Sequence, residues 1–145
     1  MRYRFIDEIV TLQTDAPARI EVRKTFAAGD DAFSGPLGPD RVPNSLLLEL
    51  LAMTGGHLVF HCLERARLPL LLKVQECRFE GCARPAVPLY ARASLNGLDD
   101  PSATTVVAET SGEVLANGAL VAAARLLFAC VRVPDMDLAA FRAMR

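Results

Sequence analysis

The stretch FSGPLGPDRVPNSLLLE, residues 33–49, is rich in proline and glycine in its first half and rich in leucine in its second half. Its first half is rich in proline and glycine and has no hydrophobic periodicity, which predicts a loop over 27–43. A loop that long inside a compact domain is usually functional. Pro43 then precedes Asn44 and Ser45, whose side chains can cap the start of a helix. The stretch therefore predicts a functional loop leading directly into a helix.

The predicted helix covers 44–67 and is apolar on nearly every side. Such a helix either spans a membrane or forms the centre of a core. Glu49, His57 and His61 interrupt the apolar run, and ionisable groups inside a membrane span are costly. We therefore expect a central helix buried by a sheet, with no membrane span. An acid among leucines, as at Glu49, is paired with a cation such as Arg41 or Arg78, protonated, or functional.

The remaining periodic segments read as strands rich in valine, leucine and small residues. Asn117-Gly118 between two apolar runs is a strong hairpin signal, since both residues tolerate positive φ. We also expect a short helix or a frayed tail at 137–144. The predicted strands are 3–12 and 19–26 before the loop, and 70–79, 88–96, 104–111 and 119–133 after the helix.

Composition limits the class of protein. A chain of 145 residues, 52% of them hydrophobic, fits one domain covering 1–145. Sixteen basic and 17 acidic residues leave a net charge of -1, which argues against a nucleic-acid partner. The acids Asp7 and Glu8 argue against a signal peptide, so we expect a cytoplasmic protein. The four cysteines form no CxxC pair, so we expect reduced thiols and no metal site.

The opening stretch resembles the catalytic segment of the β-hydroxyacyl-acyl-carrier-protein dehydratases of the hotdog superfamily. In that family a phenylalanine, a glycine, a histidine, a proline-rich turn and a helical acid follow in order. Phe33, Gly35, Pro43 and Glu49 match this pattern, whereas Pro36 stands in place of the histidine. The resemblance implies a site at Glu49 that lacks the histidine, which is the usual proton-transfer partner of the acid in that family.

Other parts of the chain share this resemblance. The runs 77–79 and 84–85 are similar to the family's Arg-Phe and proline-rich turn, and 117–124 is similar to its final hairpin. Asn44 stands where the family has glycine, and Met53 where it has glutamine. The resemblance implies an α+β hotdog fold, in which an antiparallel sheet wraps one long central helix. It also implies an acyl thioester on a carrier protein or coenzyme A as ligand, with no cofactor.

The family resemblance further implies a dimer whose two sites lie between subunits. We therefore expect a homodimer, or a heterodimer with a related hotdog subunit. Glu49 is the expected catalytic acid, and the helix N-terminal amides of Asn44 and Ser45 are expected to hold the thioester oxygen. His57 and His61 are either a displaced base or histidines satisfied within the core or an interface. The residues expected to bind substrate are Phe33, Gly35, Pro36, Met53 and His57.

Three functions remain open. Dehydration needs one group to remove a proton and another to donate one, and Pro36 can do neither. The protein is therefore an acyl-thioester-processing member of the dehydratase-like group with impaired or altered activity, or a thioesterase that uses Glu49. The third hypothesis is a non-catalytic subunit that completes the site of a histidine-bearing partner.

Overall fold

The computed structural model describes residues 5–29 and 40–132. The expected chain order of two strands, one long helix and four strands is confirmed in these ranges. The predicted helix at 137–144 and most of the predicted loop lie outside them. The elements are β1 (Glu8–Gln13), β2 (Arg19–Lys24), α1 (Asn44–Cys62), β3 (Leu68–Phe79), β4 (Leu89–Leu98), β5 (Val106–Ala116) and β6 (Ala119–Val131).

All strand pairs in the sheet are antiparallel, and the strand order is β1-β2-β4-β5-β6-β3. The hairpin between β5 and β6 turns at Asn117 and Gly118, whose φ angles are 50° and 78°. These positive values are those of the tight turn that the sequence predicts. Since β3 returns to pair with β6, β1 and β3 form the two edges of the sheet.

One face of the sheet covers α1. Leucines on the inner side of the helix are inaccessible to solvent, as expected for a core helix. Strand residues alternate between the two faces of a sheet, so every second residue of the central strands faces the helix. Many of these residues are small. The helix is long and apolar enough to cross a membrane, by length and composition alone. Its burial against the sheet accounts for its apolar composition. The inaccessible leucines are Leu47, Leu50, Leu51 and Leu58, and the small residues are Ala91, Ala93, Ala108, Ala122 and Ala124.

Gly55 marks the tightest contact between helix and sheet. A Cβ atom at this position would lie 2.7 Å from Thr110 Oγ1 and 3.3 Å from the ring of Phe128. Both side chains belong to the buried face of the sheet. The space between α1 and the sheet is therefore filled at this point.

The helix ends earlier than the sequence predicts. It stops at Cys62 rather than at residue 67, because Glu64 and Arg65 adopt φ angles of 53° and 63°, outside the right-handed helical region. The Arg65 N–H donates to the Phe60 carbonyl at 2.8 Å, which closes the helix end. Hydrophobic periodicity carries no information about this local geometry.

Arg67 ties the segment that follows the helix to the sheet. Its side chain is buried, and its guanidinium donates to four backbone carbonyls across the β4–β5 connection and β6. A buried guanidinium needs such acceptors, since an unsatisfied buried charge is costly. The acceptors are the carbonyl oxygens of Pro101, Ala103, Thr104 and Cys130, at 3.2, 2.6, 3.4 and 3.2 Å.

The strand boundaries also differ from the predicted ones. β5 extends to Ala116 instead of stopping at residue 111, because residues 112–116 pair with both β4 and β6. β3 begins at Leu68 and includes Pro69, which was expected only to end the helix. Proline is tolerated there because β3 is an edge strand.

Candidate functional site

The first turn of α1 begins without a side-chain cap. Pro43 is the N-cap residue, and its carbonyl accepts hydrogen bonds from Leu46 and Leu47 at 3.0 and 3.4 Å. The expectation that Asn44 or Ser45 caps the helix is therefore wrong, because both already lie inside it. Within the described ranges, the Asn44 and Ser45 amides have no hydrogen-bond acceptor. Such free amides attract an anionic oxygen.

A backbone contact fixes the position of this helix start. The Val42 N–H donates to the Ala83 carbonyl at 2.9 Å, and both residues are buried. In the same connection between β3 and β4, the Ala86 N–H donates to the Phe26 carbonyl at 2.7 Å. The β3–β4 connection thus ties the helix N-terminus to the end of β2, so its free amides are held in a defined place.

Glu49 is exposed to solvent on the outward side of α1. No ion pair in residues 5–29 and 40–132 joins it to Arg41 or Arg78. Arg78 instead pairs with Glu76 and Glu80, at 3.5 and 3.2 Å. The explanation that Glu49 is an acid paired with one of these arginines is therefore wrong. Its leucine neighbours in sequence do not enclose it, because successive helix residues point in different directions.

The structure places Glu49 close to the free amides. Ser45 and Glu49 are four residues apart on α1, so their side chains are neighbours on one face, with Cβ atoms about 5–6 Å apart. Asn44 lies one residue earlier, at the open end. A carboxylate beside free amides can activate water and stabilise a developing oxyanion.

The other predicted helix residues are further from Glu49. Met53 is one turn along the same face, and its side chain is 39% exposed. His57 and His61 are half-buried, with rings nearly parallel and 6.5 Å apart. Eight helix residues correspond to about 12 Å along the axis, so His57 is not beside Glu49 in the same subunit. The remaining predicted residues, Phe33, Gly35 and Pro36, lie outside the described ranges, so their role stays a prediction.

The cysteines do not resemble nucleophiles. Burial raises the pKa of the Cys130 thiol to about 11, and it also raises the pKa of Cys62 and Cys77. A thiol with a raised pKa carries little of the reactive thiolate near neutral pH. This supports the interpretation of these three residues as small apolar side chains.

The edge strand β3 carries an apolar surface that the sequence analysis did not anticipate. Leu70, Leu71 and Leu72 are 45–58% exposed, and Phe79 is also exposed. The signal was present in the sequence, because three successive leucines on a strand cannot all face one side of a sheet. A long apolar edge is normally covered by a partner.

A cavity of about 860 Å³ lies over β1, β2, β4 and β5. Charged and polar side chains that line it face away from the helix, and Arg92 forms ion pairs there with Glu21 and Glu113. The charges at its centre are thus satisfied among themselves. The cavity is separated from Glu49 by the sheet.

Comparison with known proteins gives similarity in structure only. No model of a protein family matches the chain, and no curated protein matches it. Similar solved structures include a phenylacetic acid degradation-related protein of Ralstonia eutropha JMP134, with 24% identity over 84% of this chain and 83% of that one and a TM-score of 0.67. A thioesterase of Haemophilus influenzae has 16% identity, coverage of 90% and 81%, and a TM-score of 0.67.

A hypothetical thioesterase of Streptococcus pneumoniae TIGR4, solved with coenzyme A, has 10% identity, coverage of 86% and 85%, and a TM-score of 0.66. Identities this low establish the architecture and not the activity. The six-stranded antiparallel sheet around one central helix is the arrangement that the sequence predicts. This chain therefore has the α+β hotdog fold.

Proposed function

We propose that this protein binds acyl thioesters at the N-terminal half of α1 and hydrolyses them. Glu49 activates water, and the amides of Asn44 and Ser45 hold the thioester oxygen as it becomes negative. The observation that carries the proposal is an exposed carboxylate one helical turn from two backbone amides, none of which has a partner among residues 5–29 and 40–132.

Hydrolysis fits the groups present better than dehydration does. Hydrolysis needs one general base to activate water and hydrogen-bond donors to stabilise the oxyanion. Both are supplied by α1. Dehydration needs a second proton-transfer group, and the position that resembles the dehydratase histidine is Pro36. His57 is too far along the helix to replace it in the same subunit.

The similar solved structures support an acyl thioester as the ligand. The Haemophilus influenzae and Streptococcus pneumoniae proteins are described as thioesterases, and the second was solved with coenzyme A. A coenzyme A ester is therefore the first substrate to test. A carrier-protein thioester presents the same reacting carbonyl and sulfur atoms, so it is the second.

The edge of β3, which no other strand of the described residues covers, supports assembly with a second subunit. A second copy, or a related hotdog subunit, would cover the exposed leucines by pairing with this edge. This surface also favours the second candidate function, a non-catalytic subunit that supplies Glu49 to a dehydratase partner. Activity that appears only after mixing with such a partner would select that alternative.

The test compares turnover of acyl-coenzyme A by wild type, Glu49→Gln and Glu64→Gln. Glu64 is a matched control, since it is also an exposed acid near an end of α1 and has no ion pair among the described residues. Chromatographic separation of ester and free coenzyme A avoids reaction of a thiol reagent with the four cysteines. We expect Glu49→Gln to lose about 10²–10⁴-fold in kcat, because it removes the general base that the proposal assigns to the reaction.

Glu64→Gln should retain wild-type turnover. Equal rates for wild type and Glu49→Gln would show that Glu49 is not the base. Absence of acyl-coenzyme A hydrolysis in wild type, together with conversion of a β-hydroxyacyl thioester to the enoyl form, would contradict the thioesterase proposal and support dehydration.

A further inference from the structure

The β3–β4 connection contains a tight turn at residues 84–87. The Val87 N–H donates to the Arg84 carbonyl at 3.4 Å, which closes the turn. Proline fixes a negative φ at Pro85, the second residue, whereas Ala86, the third residue, has a φ of 65°. A negative φ followed by a positive φ is the pattern of a type II turn. The third position of such a turn favours glycine or asparagine, so an alanine there is strained.

One hydrogen bond requires the type II form of this turn. The Ala86 N–H donates to the carbonyl of Phe26, just after β2, at 2.7 Å. Turns of types I and II differ by a rotation of roughly 180° of the peptide group between the second and third residues. In a type I turn, the Ala86 N–H would therefore point away from Phe26. The strained φ and the hydrogen bond to Phe26 thus depend on each other.

The carbonyl of Phe26 is an acceptor with a fixed position. Phe26 is only 4% exposed, and its ring packs edge-on against the ring of Phe5 with centroids 5.8 Å apart. The preceding residue is held as well, because the Thr25 N–H donates to the Asp7 carboxylate at 2.7 Å. Ala86, by contrast, has an exposed side chain. The contribution of Ala86 is therefore its backbone conformation.

The same connection holds the start of α1 three residues before Ala86. The buried Ala83 carbonyl accepts from the N–H of Val42, which directly precedes the N-cap residue of the helix. Residues 83–86 thus form a short bridge from the sheet to the helix start. An error of about 1 Å in the position of a catalytic group can cost about 10²-fold in rate. A change in the turn would therefore reach the helix N-terminal amides.

We infer that Ala86 is a positioning residue of the acyl-thioester site. Its left-handed backbone keeps the connection on the sheet, and the connection keeps the helix N-terminal amides in register with Glu49. This inference rests on the proposed function and adds a residue that acts through the backbone, without contact with substrate. Strain at a functional site persists only where the surrounding structure enforces it, and here the Phe26 carbonyl does so.

The experiment compares Ala86→Val, Ala86→Gly and Arg65→Val with wild type. A β-branched residue disfavours a positive φ, whereas glycine adopts it freely. Arg65 is the matched control, because it is exposed and has a φ of 63°. Its N–H also donates to a carbonyl, that of Phe60, but at the opposite end of α1. Urea denaturation should therefore show a similar loss of stability in the two valine variants.

Turnover is measured with the ester that wild type hydrolyses fastest among acetyl-, octanoyl- and palmitoyl-coenzyme A. Ala86→Val should lower kcat about tenfold with KM nearly unchanged, because the amides act on the oxyanion of the transition state. Ala86→Gly should keep the wild-type kcat, since glycine retains the type II turn, and Arg65→Val should keep it as well. If Ala86→Val does not fold, Ala86→Leu replaces it, because leucine is bulky at positive φ without branching at Cβ.

The results separate the inference from the proposed function. A wild-type kcat in Ala86→Val, or an equal fall in kcat in both valine variants, would overturn the inference and leave the proposed function intact. A wild type that hydrolyses none of the three esters would overturn the proposed function, and the role of Ala86 with it.

Discussion

Replacing Gly55 by alanine tests the contact that brings α1 onto the sheet. Helix propensity alone would make the variant more stable by about 0.5–1 kcal/mol. The added methyl group, however, would lie 2.7 Å from Thr110 Oγ1 and 3.3 Å from the Phe128 ring. Both neighbours are buried, so they cannot move into solvent. Overpacking of this kind costs about 1–3 kcal/mol, and we expect a net loss of roughly 1–2 kcal/mol in the free energy of unfolding.

Gly56→Ala is the matched control, because it makes the same change one residue later. A Cβ atom at Gly56 would have only Phe128 Cε1 nearby, at 3.6 Å, which is ordinary van der Waals contact. We therefore expect Gly56→Ala to gain about 0.5–1 kcal/mol. The helix-propensity term is common to both variants, so their difference isolates the steric cost, about 1–3 kcal/mol.

Urea denaturation of wild type and both variants measures these free energies. The m-value should stay constant, which shows that the change lies in stability and not in the extent of unfolding. Thermal melts should give the same order of stability. If Gly55→Ala is as stable as Gly56→Ala, the helix does not approach the sheet as closely as described, and the space between them is not filled at Gly55.

Two further variants test other parts of the structure. Arg67→Met should lower the free energy of unfolding by about 1–3 kcal/mol, since it leaves the buried Cys130 carbonyl without its guanidinium donor. Urea denaturation measures this loss, and a value below about 1 kcal/mol would contradict the role assigned to the guanidinium. Wild type should elute as a dimer in gel filtration with light scattering, and Leu72→Lys as a monomer, because a charge on the β3 edge opposes strand pairing. Leu12→Lys, on the opposite edge of the sheet, should remain a dimer, and a monomeric wild type would exclude the proposed interface.

The order of the elements could be predicted because its signals are local. Asn117-Gly118 specifies a tight turn through the φ angles that its own residues tolerate, and the structure has that turn. Pro43 marks the helix start because the N–H that proline lacks would have no intrahelical acceptor at that position. Alternation of side chains in β2 identifies a strand with one buried face.

The same local signals could not locate every boundary. After the helix ends at Cys62, Arg67 donates to carbonyls of the β4–β5 connection and β6, more than thirty residues away in sequence. The extension of β5 depends on its two neighbouring strands. Such contacts between distant parts of the chain are invisible to periodicity.

The sequence by itself determined that an acid lies near the start of a long apolar helix. It did not determine which side of that helix faces the sheet, because nearly every side is apolar and periodicity then selects none. Only the tertiary structure decided this, by placing Gly55 against Thr110 and Phe128 and the inner leucines against the buried face of β4, β5 and β6. Glu49 and Met53 consequently face outward, where a substrate and a second subunit can reach them.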